Sequence, residues 1–162
     1  MALHVTLLEA RNAAVTGAVA RRCAAADASL HLVGPLGFAI DDTAFRAAGP
    51  ADWNALDWWL HPGWRDFRDA MSRERCLYFA AEGTRDPAGA PYRPNSVLVF
   101  GDEHGAVPER IREKYPERVY GLPTMGRRKS MPLADHVAAV LALAGPRITD
   151  APLPRPKHRR RR

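Results

Sequence analysis

The junction at which Ser96-Val-Leu-Val-Phe100 runs straight into Gly101-Asp-Glu-His-Gly-Ala-Val-Pro108 constrains this chain more than any other stretch. A short β-branched run that ends in glycine reads as a buried strand entering a tight turn. A basic, helix-like segment follows, then a second short run at Arg118-Val-Tyr-Gly-Leu-Pro123. Beyond it lie the loop Thr124 to Pro132 and an apolar helix through Val137, Val140 and Leu143. Two strand-to-loop transitions, each succeeded by a helix, place a ligand crevice at the carboxyl ends of a parallel sheet.

The residues upstream repeat the alternation. His4-Val-Thr-Leu-Leu8 reads as a strand, and Asn12 to Ala26 as a helix with Val15, Val19 and Cys23 on one face. Ser29 to Val33 is a second strand closed by Gly34-Pro35, and Asp42 to Ala48 a short helix. Trp53, Trp58, Trp59 and Trp64 cluster within twelve residues, as core packing, a dimer surface or a base-stacking platform. Gly63 to Met71 reads as a helix, Cys76 to Ala80 as a strand, and the Pro- and Gly-rich Asp86 to Pro94 as a loop. Strand and helix in turn predict an α/β fold with a largely parallel sheet.

Charge qualifies this picture at one end. The net charge is +6, but the last six residues, Lys157 to Arg162, hold five formal positive charges, so the body is close to neutral. Any nucleic-acid footprint is therefore a local patch together with this tail. The predicted organisation is one domain over residues 1–146 and a disordered Pro- and Arg-rich tail over 147–162. No apolar run reaches membrane-spanning length. Cys23 and Cys76 lack metal-type spacing and read as buried free thiols of a reducing compartment, with no metal site. The Arg- and Ala-rich start also has the composition of an organellar transit peptide, a second choice because cleavage would remove a strand and a helix.

Phe100-Gly101-x-Glu103 followed by Val107-Pro108, then Leu122-Pro123 and Ser130-Met131 ahead of an apolar helix, resembles the last two motifs of the SpoU (TrmH) branch of the SPOUT RNA 2′-O-ribose methyltransferases. Leu36-Gly-Phe-Ala-Ile-Asp-Asp42 is similar to that family's M-G-F-x-x-D-D segment. The likeness runs from His4 to about Leu143 and is strongest to small members that methylate the ribose of the tRNA wobble nucleotide. It implies a SPOUT-type fold with a C-terminal trefoil knot, S-adenosylmethionine bent among the knot loops, tRNA or another structured RNA as substrate, and a cytoplasmic homodimer.

Carried over by position, the resemblance implies cofactor contacts at Phe79, Gly101, Leu122 and Ser130. Gly101 also has a physical reason to be glycine, since a loop backbone approaches a ligand closely only without a Cβ. The first motif, N-T-G-N-x-x-R, stands here as Val15-Thr-Gly-Ala-Val-Ala-Arg21. Thr16 and Gly17 are thereby implied at the substrate, with Glu103 of the second motif, and Arg21 as the catalytic residue. In the second motif Asp102, Gly105 and Ala106 replace Pro, Arg and Gly, and in the third, Ser130 to His136, two Asn and a Ser are lost. These departures leave a second reading, a SPOUT-fold protein without catalysis that binds structured RNA or a ribonucleoprotein. A nucleotide-binding protein of another kind is disfavoured by the lack of any G-x-G-x-x-G or P-loop pattern.

Overall fold

Six parallel strands lie in the order β3-β2-β1-β5-β4-β6 in a computed structural model that describes residues 3–122 and 131–149. They are β1 (His4–Leu8), β2 (Ser29–Val33), β3 (Trp58–His61), β4 (Cys76–Ala80), β5 (Val97–Phe100) and β6 (Val119–Gly121). Five helices accompany them: α1 (Ala13–Ala25), α2 (Thr43–Ala48), α3 (Trp64–Ala70), α4 (Glu109–Lys114) and α5 (Leu133–Thr149). β2, β4 and β5 are buried along their whole length, as expected of a parallel sheet covered on both faces. One face packs Leu77, Phe79, Leu98 and Phe100 with Val19 and Cys23 of α1 and Val137, Val140 and Ala144 of α5. The other packs Tyr78, Val97 and Val99 with Phe67 of α3 and Ile111 of α4.

Local chemistry sets the helix starts. Asn12 caps α1 by accepting from the Val15 amide at 3.0 Å, and Asp42 caps α2 through the amides of Ala44 and Phe45. Gly17, expected at the substrate, is instead buried where α1 meets α2. A Cβ there would stand 2.8 Å from the Ala48 Cβ and overlap the Phe45 carbonyl oxygen. Thr16 is 1% exposed, and its hydroxyl donates to the Asn12 carbonyl at 2.8 Å. Both residues therefore hold the helix and its packing.

β3 lies inside what reads in sequence as an aromatic-rich stretch, because its Trp-Trp-Leu-His pairs, among the described residues, with β2 alone and shows no clean alternation. Trp58 and Trp53 pack with Phe45, and the Arg46 guanidinium lies 5.0 Å from the Trp53 ring centroid, so these two tryptophans belong to the core. Trp59, 47% exposed, stacks on His31. His31 is the middle of a chain of three imidazoles on neighbouring strands, 3.0 Å from His4 and 2.9 Å from His61. Burial, and then the neighbouring His4 and His61, push its pKa down to about 3. Cys23 and Cys76 are free and buried, and burial raises both thiols.

α5 continues three residues beyond Pro146, past the expected domain end. Proline removes one intrahelical hydrogen bond. The last turn is held in compensation by buried Ile148 and by Arg147, which donates to the carbonyls of Ala88 and Ala90. Ser130 and the basic tail over residues 150–162 lie outside the described residues. None of the described helices is long and apolar enough to cross a membrane.

Candidate active site

The chain leaves β1 to build β2 and β3 on one side and then returns to build β5, β4 and β6 on the other. The reversal between β1 and β5 marks the carboxyl-end position at which open α/β sheets receive ligands. Leu8 gives way there to Glu9 at φ 55° and then to Arg11. Across from this stretch stands the turn after β5. The Arg11 amide donates to the Glu103 carboxylate at 3.3 Å, joining the two walls.

The turn from Gly101 to Val107 is organised by Asp102. Its carboxylate accepts from the amides of His104 at 2.9 Å and Ala106 at 3.2 Å, and its carbonyl accepts from Gly105 at 2.9 Å. Gly105 sits at φ +76°, a backbone state that favours glycine. The residues that replace Pro and Arg of the family motif are thus the carboxylate and glycine this turn needs. Asp102 and Gly105 went unrecognised as a unit in sequence, although Asp at the first and Gly at the fourth position is a turn signature.

Gly101 is buried, and the group that demands a glycine there belongs to the turn itself. A Cβ would overlap the Ala106 carbonyl and stand 2.9 Å from the Val107 nitrogen. The chain's own backbone makes a close approach here. Phe79 is fully buried, stacked 5.1 Å from Phe100, so its side chain supports the ends of β4 and β5 from below. The next loop meets the turn through the Ala81 amide, which donates to the Gly105 carbonyl at 3.1 Å. Leu122, half-buried at the end of β6, completes this meeting: a Cβ on Gly105 would lie 2.8 Å from its Cδ1 and 3.5 Å from the Ala81 Cβ. Ala81, Gly105 and Leu122 therefore form one small apolar surface where three strand ends converge.

Arg21 is exposed on the third turn of α1. Its neighbour Arg22 pairs with Asp135, in the first turn of α5, at 2.9 Å. Asp135 occupies the second lost Asn of the third motif, so this substitution ties α1 to the helix that follows Ser130. One helix thus touches the Glu103 turn through the residues before its cap and the start of α5 through its third turn. The structure brings Gly101, Glu103 and Leu122 to one edge of the sheet. It leaves Thr16 and Gly17 in helix packing and puts the Phe79 ring beneath that edge. Among the described residues there is no group of three or more His, Cys, Asp or Glu able to hold a metal ion.

An all-parallel sheet with turn-built loops gathered at its carboxyl edge defines a ligand-binding α/β protein. A model described as the SpoU rRNA Methylase family matches residues 2–143, and the chain belongs to this family. A Methylovorus glucosotrophus protein named tRNA (cytidine(34)-2'-O)-methyltransferase is 31% identical over 127 residues, 78% of this chain and 82% of its own length. One of the same name from Acidovorax is 32% identical over 143 residues, covering 85% and 87%. A solved structure described as giving insight into the 2-OH methylation of C/U34 on tRNA superposes with a TM-score of 0.80 at 30% identity, covering 91% of each chain. The SpoU methyltransferase AviRb from Streptomyces viridochromogenes, solved with AdoMet, shares the fold at 17% identity and a TM-score of 0.74, covering 93% of this chain and 59% of its own.

Proposed function

We propose that this chain methylates the 2′-hydroxyl of the wobble nucleotide of tRNA with S-adenosylmethionine, as a cytoplasmic homodimer whose C-terminal half is trefoil-knotted. The observation that carries the reading is the convergence of the β4, β5 and β6 ends on Ala81, Gly105 and Leu122, in a chain matched almost throughout by the family model. Relatives of about the same length are named for methylation of cytidine 34. The dimer, the knot and the compartment rest on family expectation.

The apolar surface at the three strand ends suits a flat adenine ring, whose polar edge is then met by loop backbone. When bound, the cofactor supplies a methyl group on a positively charged sulfur. The Gly101–Val107 turn, held rigid by Asp102, sets the position of that group relative to the substrate. The chain's main contribution is orientation, which in well-aligned reactions is worth on the order of 7–11 kcal/mol. Arg21 is assigned to the substrate: its guanidinium, always charged, grips a phosphate or stabilises the ribose oxygen as it gives up its proton.

The test is transfer from methyl-labelled S-adenosylmethionine to tRNA by the full-length protein, with the methylated nucleotide located by mass spectrometry. Label on the ribose of nucleotide 34 is expected. Label elsewhere would overturn the wobble assignment. Cofactor binding without transfer to any RNA would select a non-catalytic RNA-binding protein. Relatives named as methyltransferases support the catalytic reading, and Asp102, Gly105 and Asp135 have structural roles of their own where family residues are missing.

A further inference from the structure

We propose that the groove between α3 and α4 is a phosphate-binding site for the RNA backbone, apart from the crevice at the carboxyl edge of β1 and β5. The inference rests on the reading that this protein acts on RNA. The groove is a cavity of about 260 Å³ lined by Trp64, Arg65 and Arg68 of α3, Arg110 and Lys114 of α4, and Tyr115. That is room for about eight waters, or for a phosphate with part of its hydration.

Four cations line this cavity and no carboxylate does. Asp66, Asp69, Glu109 and Glu113 lie on the same two helices but are absent from its walls. None of the four cations is ion-paired among the described residues, where the bridge within 4 Å is that of Arg22 and Asp135. Behind the walls, the Arg68 Nε–H and the Tyr115 hydroxyl are buried without a hydrogen-bond partner among the described residues. A buried donor without an acceptor destabilises the fold. The lining offers no carboxylate to balance its four cations, so the balancing anion comes from outside. A phosphodiester brings anionic oxygens and needs no particular base beside it.

The walls argue for nucleic acid over a simple ion. Trp64 and Tyr115 are both half-buried, Tyr115 is stacked 5.6 Å from Tyr78, and the Lys114 ammonium lies 5.6 Å from the Tyr115 ring. Aromatic faces beside guanidinium groups are the usual composition of a strand-tracking surface. A larger cavity, of about 390 Å³, also contains arginines but reads differently. Glu74 and Glu117 line it, and two of its four arginines are engaged, Arg93 donating to the Glu74 carbonyl and Arg118 to the Arg73 carbonyl. α3 and α4 each start after the carboxyl end of a strand, β3 and β5. Their first turns thus lie at the edge of the sheet that carries the crevice, and one RNA can reach both.

The test compares wild type with the double variant Arg65→Gln/Arg110→Gln, using full-length protein and transcribed tRNA. Neither residue belongs to the crevice. The variant is expected to raise KM for tRNA by about tenfold, leave kcat within about twofold, and reduce the salt slope of tRNA binding by roughly 1.4 to 1.8, the value for two lost phosphate contacts. Its affinity for S-adenosylmethionine stays unchanged. Labelled tRNA binding by anisotropy is measured alongside, so the groove is tested even if no methyl transfer occurs and the functional reading itself fails. Unchanged tRNA affinity and salt slope would overturn the proposal and leave an acidic protein surface as the fitting partner. Thermal protection by inorganic phosphate together with unchanged tRNA binding would make the groove a small-anion site and overturn it equally.

Discussion

Acidification should weaken this protein chiefly through His31, and the size of the effect follows from its surroundings. The ring is 4% exposed, hydrogen-bonded to His4 and His61, and stacked 4.8 Å from Trp59. Burial, followed by its two imidazole neighbours, lowers its pKa from an ordinary 6.5 to about 3. His4 and His61 are lowered as well, mainly by burial, with Arg75 adding to the effect on His4 and Asp66 opposing it on His61. A histidine held neutral in the fold contributes stability that is complete above the unfolded pKa. That stability is lost as pH falls from 6.5 toward 3. Between pH 7 and pH 5 the loss from His31 alone is about 2 kcal/mol. His31→Phe keeps an aromatic ring against Trp59 and removes the titration. The variant should be less stable than wild type at pH 7 by roughly 1–2 kcal/mol, for two lost hydrogen bonds, and should draw level with it near pH 5. Urea unfolding at pH 5, 6 and 7 measures both curves. Parallel stability curves for the two proteins would show that His31 does not titrate as argued.

Gly17→Leu should destabilise the protein by about 3 kcal/mol, the upper end for overpacking, because even a Cβ overlaps the Phe45 carbonyl; thermal unfolding reads it directly. Asp102→Ala removes the acceptor for the His104 and Ala106 amides and should weaken S-adenosylmethionine binding severalfold by calorimetry, at a stability cost of roughly 1–2 kcal/mol. Arg21→Ala should lower the rate of methyl transfer by orders of magnitude with cofactor affinity preserved. Arg22→Ala is expected to cost up to about 1 kcal/mol of stability through its exposed bridge to Asp135 and to leave kcat nearly unaltered; equal modest rate losses in both variants would reduce Arg21 to part of a basic face.

The strands and most helices were legible in the sequence because each has its own local signal. Cys76–Ala80 and Val97–Phe100 are unbroken apolar runs, the mark of strands covered on both faces. The position of the turn after β5 was equally legible, since a strand ending in Gly101 announces one. What that turn is made of was not. Asp102 and Gly105 count as losses against a motif, and only the folded turn reveals a carboxylate holding two amides and a glycine at positive φ. Gly101 has a neighbour that the sequence did not show, the backbone of its own turn, because sequence cannot say whose backbone will come close.

Residues assigned by position along a motif parted company for the same reason. Thr16 and Gly17 follow the family pattern one after the other, yet helical geometry and the arrival of α2 bury both. Leu122 and Gly105 are distant in the chain and touch because β4, β5 and β6 end together. The α3–α4 groove was invisible for a deeper reason. Arg65 and Arg68 read as one charged helix face, and Arg110 and Lys114 as another, each with acids nearby. Periodicity and composition are properties of neighbours along the chain, and they determined the sheet and its class. Which cations face each other without a carboxylate between them depends on how two helices settle on one side of a sheet, and that only the tertiary structure decided.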